Sequence, residues 1–257
     1  MNNLYSVLRA LMIASILVFV SSCKDEKTTT PTTTTQHWDY EATDKWTSEG
    51  YPDCAGTIQS PVDIDTAQVI KADLPNVTLN YQPFNMNIID NGHTIQVNNN
   101  TGLSSITYKG DKYTFAQFHF HCSSEHTING AFAPMELHLV HKSSTGSLLV
   151  LGVFLQKGGT ANPVLDKVFN NFPAKTEEVD STSESIDLTG LLPEDKKYYT
   201  YIGSLTTPPC SQGVDFILFK QPMMISDAQY DKFKAKYEHN HRPVQPINNR
   251  IVFEDNN

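Results

Sequence analysis

Apolar and polar residues alternate in short runs along most of the chain. Val77 to Tyr81, Thr94 to Val97, Tyr113 to His121, Glu136 to His141, Leu148 to Leu155 and Asp215 to Phe219 read as strands. Only two segments carry helical signals. Asn162 can cap a helix with Pro163 at its first position, leading Val164 to Asn170. Ser226 can cap a second helix through about Tyr237, with Tyr230, Phe233 and Tyr237 on one face. The pattern therefore predicts a mainly β domain with short helices at the periphery of a large sheet.

The pattern fails at the N-terminus. Arg9 followed by the apolar run Ala10 to Val20 has the form of an export signal. The run is shorter than the roughly 20 residues that span a bilayer. Val20-Ser21-Ser22-Cys23 resembles a lipoprotein cleavage site, so residues 1–22 are expected to be removed and Cys23 to carry lipid. Residues 23–36, with the Thr-rich stretch Thr28 to Thr35 around Pro31, have too little apolar content to pack and read as a linker. No second boundary or repeat follows, so residues 37–257 are expected to form one domain on an exported, membrane-tethered protein.

Composition narrows the function. The chain has 257 residues and a net charge of −9, which argues against a nucleic-acid partner. Export makes disulfides possible. With Cys23 set aside, Cys54, Cys122 and Cys210 remain, so one thiol is left over. Cys122 adjoins a candidate metal ligand, so the simplest pairing is Cys54 with Cys210, worth ~3–5 kcal/mol as the closure of a long loop. Other pairings stay open at this level.

The candidate chemistry lies in two of the strands. Side chains alternate between faces, so Gln117, His119 and His121 share one face while Phe118 and Phe120 point into the core. On the second strand Glu136, His138 and Val140 share a face, opposite Leu137, Leu139 and His141. Three imidazoles could hold Zn2+ and leave a fourth position open for water, the arrangement of a catalytic site rather than a closed structural one. Metal-bound histidines commonly give their other N–H to an oxygen acceptor, and Gln117 and Glu136 are placed for that role. A bare His-x-His on a solvated strand face is the plainer interpretation of the first pair.

Several motifs together resemble the alpha-class carbonic anhydrases. They are Gln59 to Ile64, Asn91-Gly92-His93, Gln117 to His121, Ser124 to Thr127, Glu136 to His141, Gly203 to Pro209 and Arg242 to Pro246. The resemblance runs in order through residues 37–257. It implies a large twisted, mostly antiparallel sheet, a zinc cofactor, and reversible hydration of carbon dioxide to bicarbonate and a proton by zinc-bound hydroxide. It also implies sulfonamides and anions as inhibitors.

The resemblance assigns roles by position. His119, His121 and His138 are the implied zinc ligands, with Gln117 and Glu136 supporting them. Thr206 is implied to accept a hydrogen bond from the nucleophile and to donate one to Glu125. Thr207 lines the polar wall. Val140, Val150, Leu205 and Val214 are implied to form the apolar pocket for carbon dioxide, with Phe216 where the family usually has tryptophan. His93 is the implied proton shuttle, with Tyr40, Asn91 and Gln96 ordering a water chain. Cys54 and Cys210 match a disulfide of exported members.

His126 is expected to be structural and His141 to be a satisfied core residue. Cys122, Tyr199 and Ile202 depart from the family's usual tryptophan, tryptophan and proline without removing a catalytic group. The competing interpretations are a noncatalytic module that has lost zinc ligands and a zinc esterase. The complete histidine set opposes the first. The sequence shows no His-Glu-x-x-His helix or serine elbow to support the second.

Overall fold

A computed structural model describes residues 37–256. The expected leader 1–22, Cys23 and all of the linker 23–36 lie outside the described residues, as does Asn257. The first strands in chain order are β1 (Asp63–Ile64), β2 (Ile70–Ala72), β3 (Thr78–Asn80), β4 (Phe84–Asp90), β5 (Ile95–Asn98), β6 (Ser105–Tyr108) and β7 (Asp111–His121). They continue with β8 (Thr127–Ile128), β9 (Ala131–Phe132), β10 (Met135–Ser143), β11 (Leu148–Gln156) and β12 (Val179–Ile186). The last are β13 (Tyr198–Ser204), β14 (Gln212–Met224) and β15 (Phe253–Asp255).

Twelve of these strands form one sheet, along the order β12-β4-β5-β7-β10-β11-β14-β13-β15-β2, with β6 beside β7 and β3 beside β6. Pairing is antiparallel except at β11–β14 and β15–β2, so the sheet is mixed but mostly antiparallel, as the resemblance implied. The central strands β10, β11 and β14 are buried on both faces over most of their middle residues, as expected of strands covered from both sides.

Phe118, Phe120, Leu137, Leu139, Leu151 and Val153 enter the larger core. Val150, Val214, Phe216 and Leu218 enter a second cluster, against which Val140 and Leu205 pack. This two-sided burial holds the histidine strands rigidly.

The two helices form where capping chemistry predicted them. In α1 (Pro163–Asn170) the Asn162 side chain accepts from the backbone N–H of Val164 and Leu165. In α2 (Asp227–Lys234) Ser226 and Gln229 form a reciprocal capping box. The second helix ends earlier than the expected Tyr237. Phe233 is buried, and Tyr230 and Tyr237 pack beside it on the same core.

Strand alternation along β7 holds for its functional half but not for its whole length. Tyr113 and Phe115 are buried with odd numbers, whereas Phe118 and Phe120 are buried with even ones. A bulge reconciles them: Gln117 pairs with Val140 but Phe115 with His141, leaving Ala116 over. That extra residue turns Gln117, His119 and His121 to the face away from the aromatic core while every bulky aromatic of the strand stays in it.

Candidate metal centre

The β7–β10 register brings the three histidines together. His119 lies opposite His138, and Glu136 opposite His121. One ring nitrogen from each of His119, His121 and His138 lies within 4.8 Å of the others. Gly152 sits opposite His138 on β11, where a Cβ would come within 2.4 Å of Leu218 Cδ2 and 3.2 Å of Glu136 Oε1. The absent side chain at Gly152 makes room for the Glu136 carboxylate.

Each histidine spends one nitrogen on a protein acceptor and keeps the other free. His119 Nδ1 donates to Gln117 Oε1 at 2.9 Å. His138 Nε2 donates to Glu136 Oε1 at 2.7 Å. His121 Nδ1 donates to the backbone carbonyl of Asn240 at 2.8 Å. The free atoms are therefore His119 Nε2, His121 Nε2 and His138 Nδ1. Gln117 and Glu136 occupy the supporting positions expected of them. Asn240 was not foreseen, because its carbonyl arrives from a loop far along the chain and carries no side-chain signal.

Electrostatics disfavours charge on His119 and His121 and favours it on Glu136. Burial and the neighbouring His121 and His138 hold His119 well below the usual histidine value. Burial brings His121 down to about 4. Burial alone would raise Glu136, but His126 and His138 outweigh it and hold the carboxyl well below the ordinary range. Glu136 accepts from His126 Nδ1 at 2.8 Å as well as from His138. Its other oxygen accepts the backbone N–H of Glu125 and His126 at 2.9 and 2.8 Å.

His126 is structural, as expected, but its partners are Glu136 and Tyr201. Its Nδ1 donates, so Nε2 accepts from the Tyr201 hydroxyl at 2.6 Å. His141 is a satisfied core histidine. Its Nδ1 donates to Leu139 O at 3.0 Å, its Nε2 meets the Tyr81 hydroxyl at 2.9 Å, and burial takes it down to about 3.

Glu125 is fully buried beside the histidines. Its Oε2 lies 3.4 Å from His121 Nε2 and 3.8 Å from His138 Nδ1. Its Oε1 accepts from Arg242 N at 2.9 Å. Burial raises its pKa to about 7, against which His138, the Arg242 amide and the Thr206 hydroxyl act. His121 Nε2 and Glu125 Oε2 are buried atoms with no well-formed hydrogen bond. A buried nitrogen within 4.8 Å of two other ring nitrogens and lacking a partner fits a metal ligand, and three histidine donors are the set that would leave a zinc ion a further position for water.

Thr206 is buried and Thr207 half-buried on the loop after β13. That loop is fixed by the Cys54–Cys210 disulfide, which joins residues 156 apart at a Cα separation of 4.9 Å. Cys210 N donates to Thr207 O at 2.9 Å, and Gln59 Nε2 donates to Cys210 O at 3.2 Å. Among the described residues Cys122 is the free cysteine, and it is buried. Val140, Val150, Leu205, Val214 and Phe216 share one apolar cluster, and Phe216 stacks on Tyr201 with centroids 5.2 Å apart.

His93 stands on the turn between β4 and β5, half-buried, with its ring stacked on Trp38 at 3.7 Å. Burial, followed by the charge of His37, lowers its pKa. Asn91 shapes the turn: its Oδ1 accepts from His93 N and Thr94 N, and its Nδ2 donates to Gln96 Oε1. Gln96 lies opposite His119 in the β5–β7 register. Tyr40 has its ring 6.4 Å from that of His93. Burial and then the charge of Glu125 raise its pKa. Tyr40 and Asn91 thus neighbour His93, and Gln96 neighbours Asn91 and lies opposite His119.

Comparison with known proteins follows this geometry. Residues 41–256 match the family described as eukaryotic-type carbonic anhydrase. The carbonic anhydrase of Klebsiella pneumoniae is 40% identical over 226 residues, covering 85% of this chain and 91% of the relative. That of Neisseria gonorrhoeae is 40% identical over 225 residues, covering 85% and 88%. Among solved structures, the alpha-carbonic anhydrase of Thermovibrio ammonificans in complex with sulfanilamide aligns with a TM-score of 0.81 and 41% identity. The alignment covers 85% of this chain and 99% of that one.

Proposed function

The chain belongs to the alpha-class, eukaryotic-type carbonic anhydrase family and is an enzyme of that class, and on this premise we propose that it hydrates carbon dioxide reversibly at a zinc ion held by His119, His121 and His138. One observation carries the proposal: three mutually close ring nitrogens are free while the second nitrogen of every ring is already donated. His119, His121 and His138 would hold a zinc ion, which would supply a water of lowered pKa, an effect for which this family is itself the standard example.

The surrounding residues handle the other requirements. Gln117, Glu136 and the Asn240 carbonyl fix each ring's orientation and tautomer. The Thr206 hydroxyl acts on Glu125 and would donate to that carboxylate, so its lone pairs would be left to accept from the attacking oxygen and set its direction. Val140, Val150, Leu205 and Val214 offer an apolar wall suited to carbon dioxide. The Thr206 N–H and Thr207 receive the product's oxygens. Carbon dioxide and water give bicarbonate and one proton. That proton passes along the path of Tyr40, Asn91 and Gln96 to His93, which releases it to buffer.

Sulfanilamide is bound in the Thermovibrio relative, and we extend to this chain inhibition by sulfonamides and simple anions. We also propose export as a lipoprotein, with residues 1–22 removed, Cys23 acylated and residues 24–36 tethering the catalytic body 37–257. The Arg9 and Ala10 to Val20 pattern before Cys23 supports this. Radioactive palmitate should label the wild type and not Cys23→Ser; an unlabelled wild type would leave simple secretion. Stopped-flow hydration with and without a zinc chelator tests the activity. Loss on chelation and recovery with zinc are expected, and chelator-insensitive hydration would refute the metal assignment.

A further inference from the structure

We propose that the side chain of Asn240 is a positioning residue that fixes the His93 turn against the metal-ligand strand. The inference rests on the hydration mechanism above. Asn240 is only 3% exposed, although it lies between exposed His239 and half-buried His241. A buried primary amide must satisfy one acceptor and two donors, and this one does so across two elements. Its Oδ1 accepts from Cys122 N at 2.8 Å. Its Nδ2 donates to Phe120 O at 2.9 Å and to His93 O at 3.0 Å.

The backbone carbonyl of the same residue accepts from His121 Nδ1. Asn240 therefore brackets His121 by its two chain neighbours and holds the shuttle residue with the same amide. His93 is thus clamped at both ends of its peptide. Asn91 Oδ1 takes its N–H at 3.0 Å, and Asn240 Nδ2 holds its carbonyl. Thr94 adds a third tie, with its hydroxyl donating to Phe120 O at 2.6 Å.

The two roles of Asn240 use different atoms, which makes them separable. The link to His121 is made by backbone and survives side-chain replacement. The link to His93 is made by the amide alone. Removing the amide should leave zinc held while the shuttle's backbone gains freedom. Proton transfer depends on distance and alignment, so turnover should suffer. The second-order constant kcat/KM covers encounter with carbon dioxide and its conversion, whereas kcat also includes proton removal.

The test uses Asn240→Ala and the milder Asn240→Ser in the full chain. Hydrogen exchange on the metal-free proteins should show faster exchange at the His93 and Thr94 amides than in wild type. Zinc should bind at one equivalent in both variants. In weak buffer, kcat should fall about 3- to 10-fold, more than kcat/KM, and added imidazole should restore it. Unchanged exchange at His93 and Thr94 would overturn the proposal. So would an equal fall in kcat and kcat/KM that imidazole does not relieve, the signature of a merely structural role. If the wild type itself lacks hydration activity, the mechanism fails separately, and the exchange comparison still decides whether the amide tethers the turn.

Discussion

His119 and His138 face each other directly across the β7–β10 ladder, and Gly152 faces His138 from the other side. A cross-strand pair places side chains within about 5 Å of one another at the Cβ atoms, close enough for two imidazoles to converge on one ion. His121, two residues along the same face, completes the set. The site is therefore a property of sheet register, built on central strands and not on mobile loops.

Glu136 should prove important for metal affinity without being a ligand. It receives His138 Nε2, His126 Nδ1 and two backbone N–H groups. Glu136→Gln removes the charge and must turn an NH2 group towards one set of donors. Zinc affinity, measured by competition with a chelating dye, should fall about 10- to 100-fold. Affinity within twofold of wild type would show that His138 needs no carboxylate.

His93→Ala should lose turnover about tenfold or more in weak buffer and recover with imidazole, since a titrating side chain is replaced by a methyl group. Insensitivity to buffer in both wild type and variant would remove His93 from the proton path.

Asp90 ties the His93 turn to the end of α2, and its contribution should depend on pH. It pairs with Lys236 Nζ at 2.7 Å, accepts from the Tyr237 hydroxyl, and takes Gly92 N at 3.1 Å. Burial alone would raise its pKa, but Lys236, Tyr237 and the Gly92 amide outweigh it and lower the pKa from the ordinary 3.8. A carboxyl lowered on folding stabilises above its unfolded pKa, and the benefit fades as pH falls through the folded value. Asp90→Asn should thus lower the urea midpoint of the metal-free protein at pH 6, with the gap narrowing below about pH 4. A gap that stays constant down to pH 3 would contradict the assignment.

Reduction of Cys54–Cys210 should lower stability before it alters the metal ligands. The bridge closes a loop of 156 residues, for which the chain-entropy estimate is ~5 kcal/mol. For a domain of this size that corresponds to a fall in Tm on the order of 10 °C. Scanning calorimetry of the Cys54→Ser, Cys210→Ser double variant measures it, and an unchanged Tm would show that hydrogen bonds such as Gln59 Nε2 to Cys210 O hold the loop without the bridge.

Much of this site was legible because its rules are local. Period-two alternation put His119 and His121 on one face and Glu136 beside His138, and Asn162 and Ser226 marked the helix starts. The implied Cys54–Cys210 disulfide is present. What escaped was set by tertiary contact. The Ala116 bulge changes the parity of β7, and only the pairing with β10 reveals it. Strand β12 is almost wholly polar because it lies at the sheet's edge with mostly exposed side chains, so no apolar alternation announces it. Strand β4 was missed although Phe84, Met86 and Ile88 form its buried face, because the alternate positions Asn85 and Asn87 carry a residue type depleted in strands. Asn240 contributes a carbonyl, which every residue has.

The central claim is that His119, His121 and His138 hold one zinc ion that supports hydration. The most direct measurement is zinc content together with stopped-flow carbon dioxide hydration, for wild type and His119→Ala prepared alike. One zinc per chain with rapid hydration in the wild type, and loss of both in His119→Ala, is the predicted result. Full hydration by His119→Ala, or by a wild type free of zinc, would contradict it.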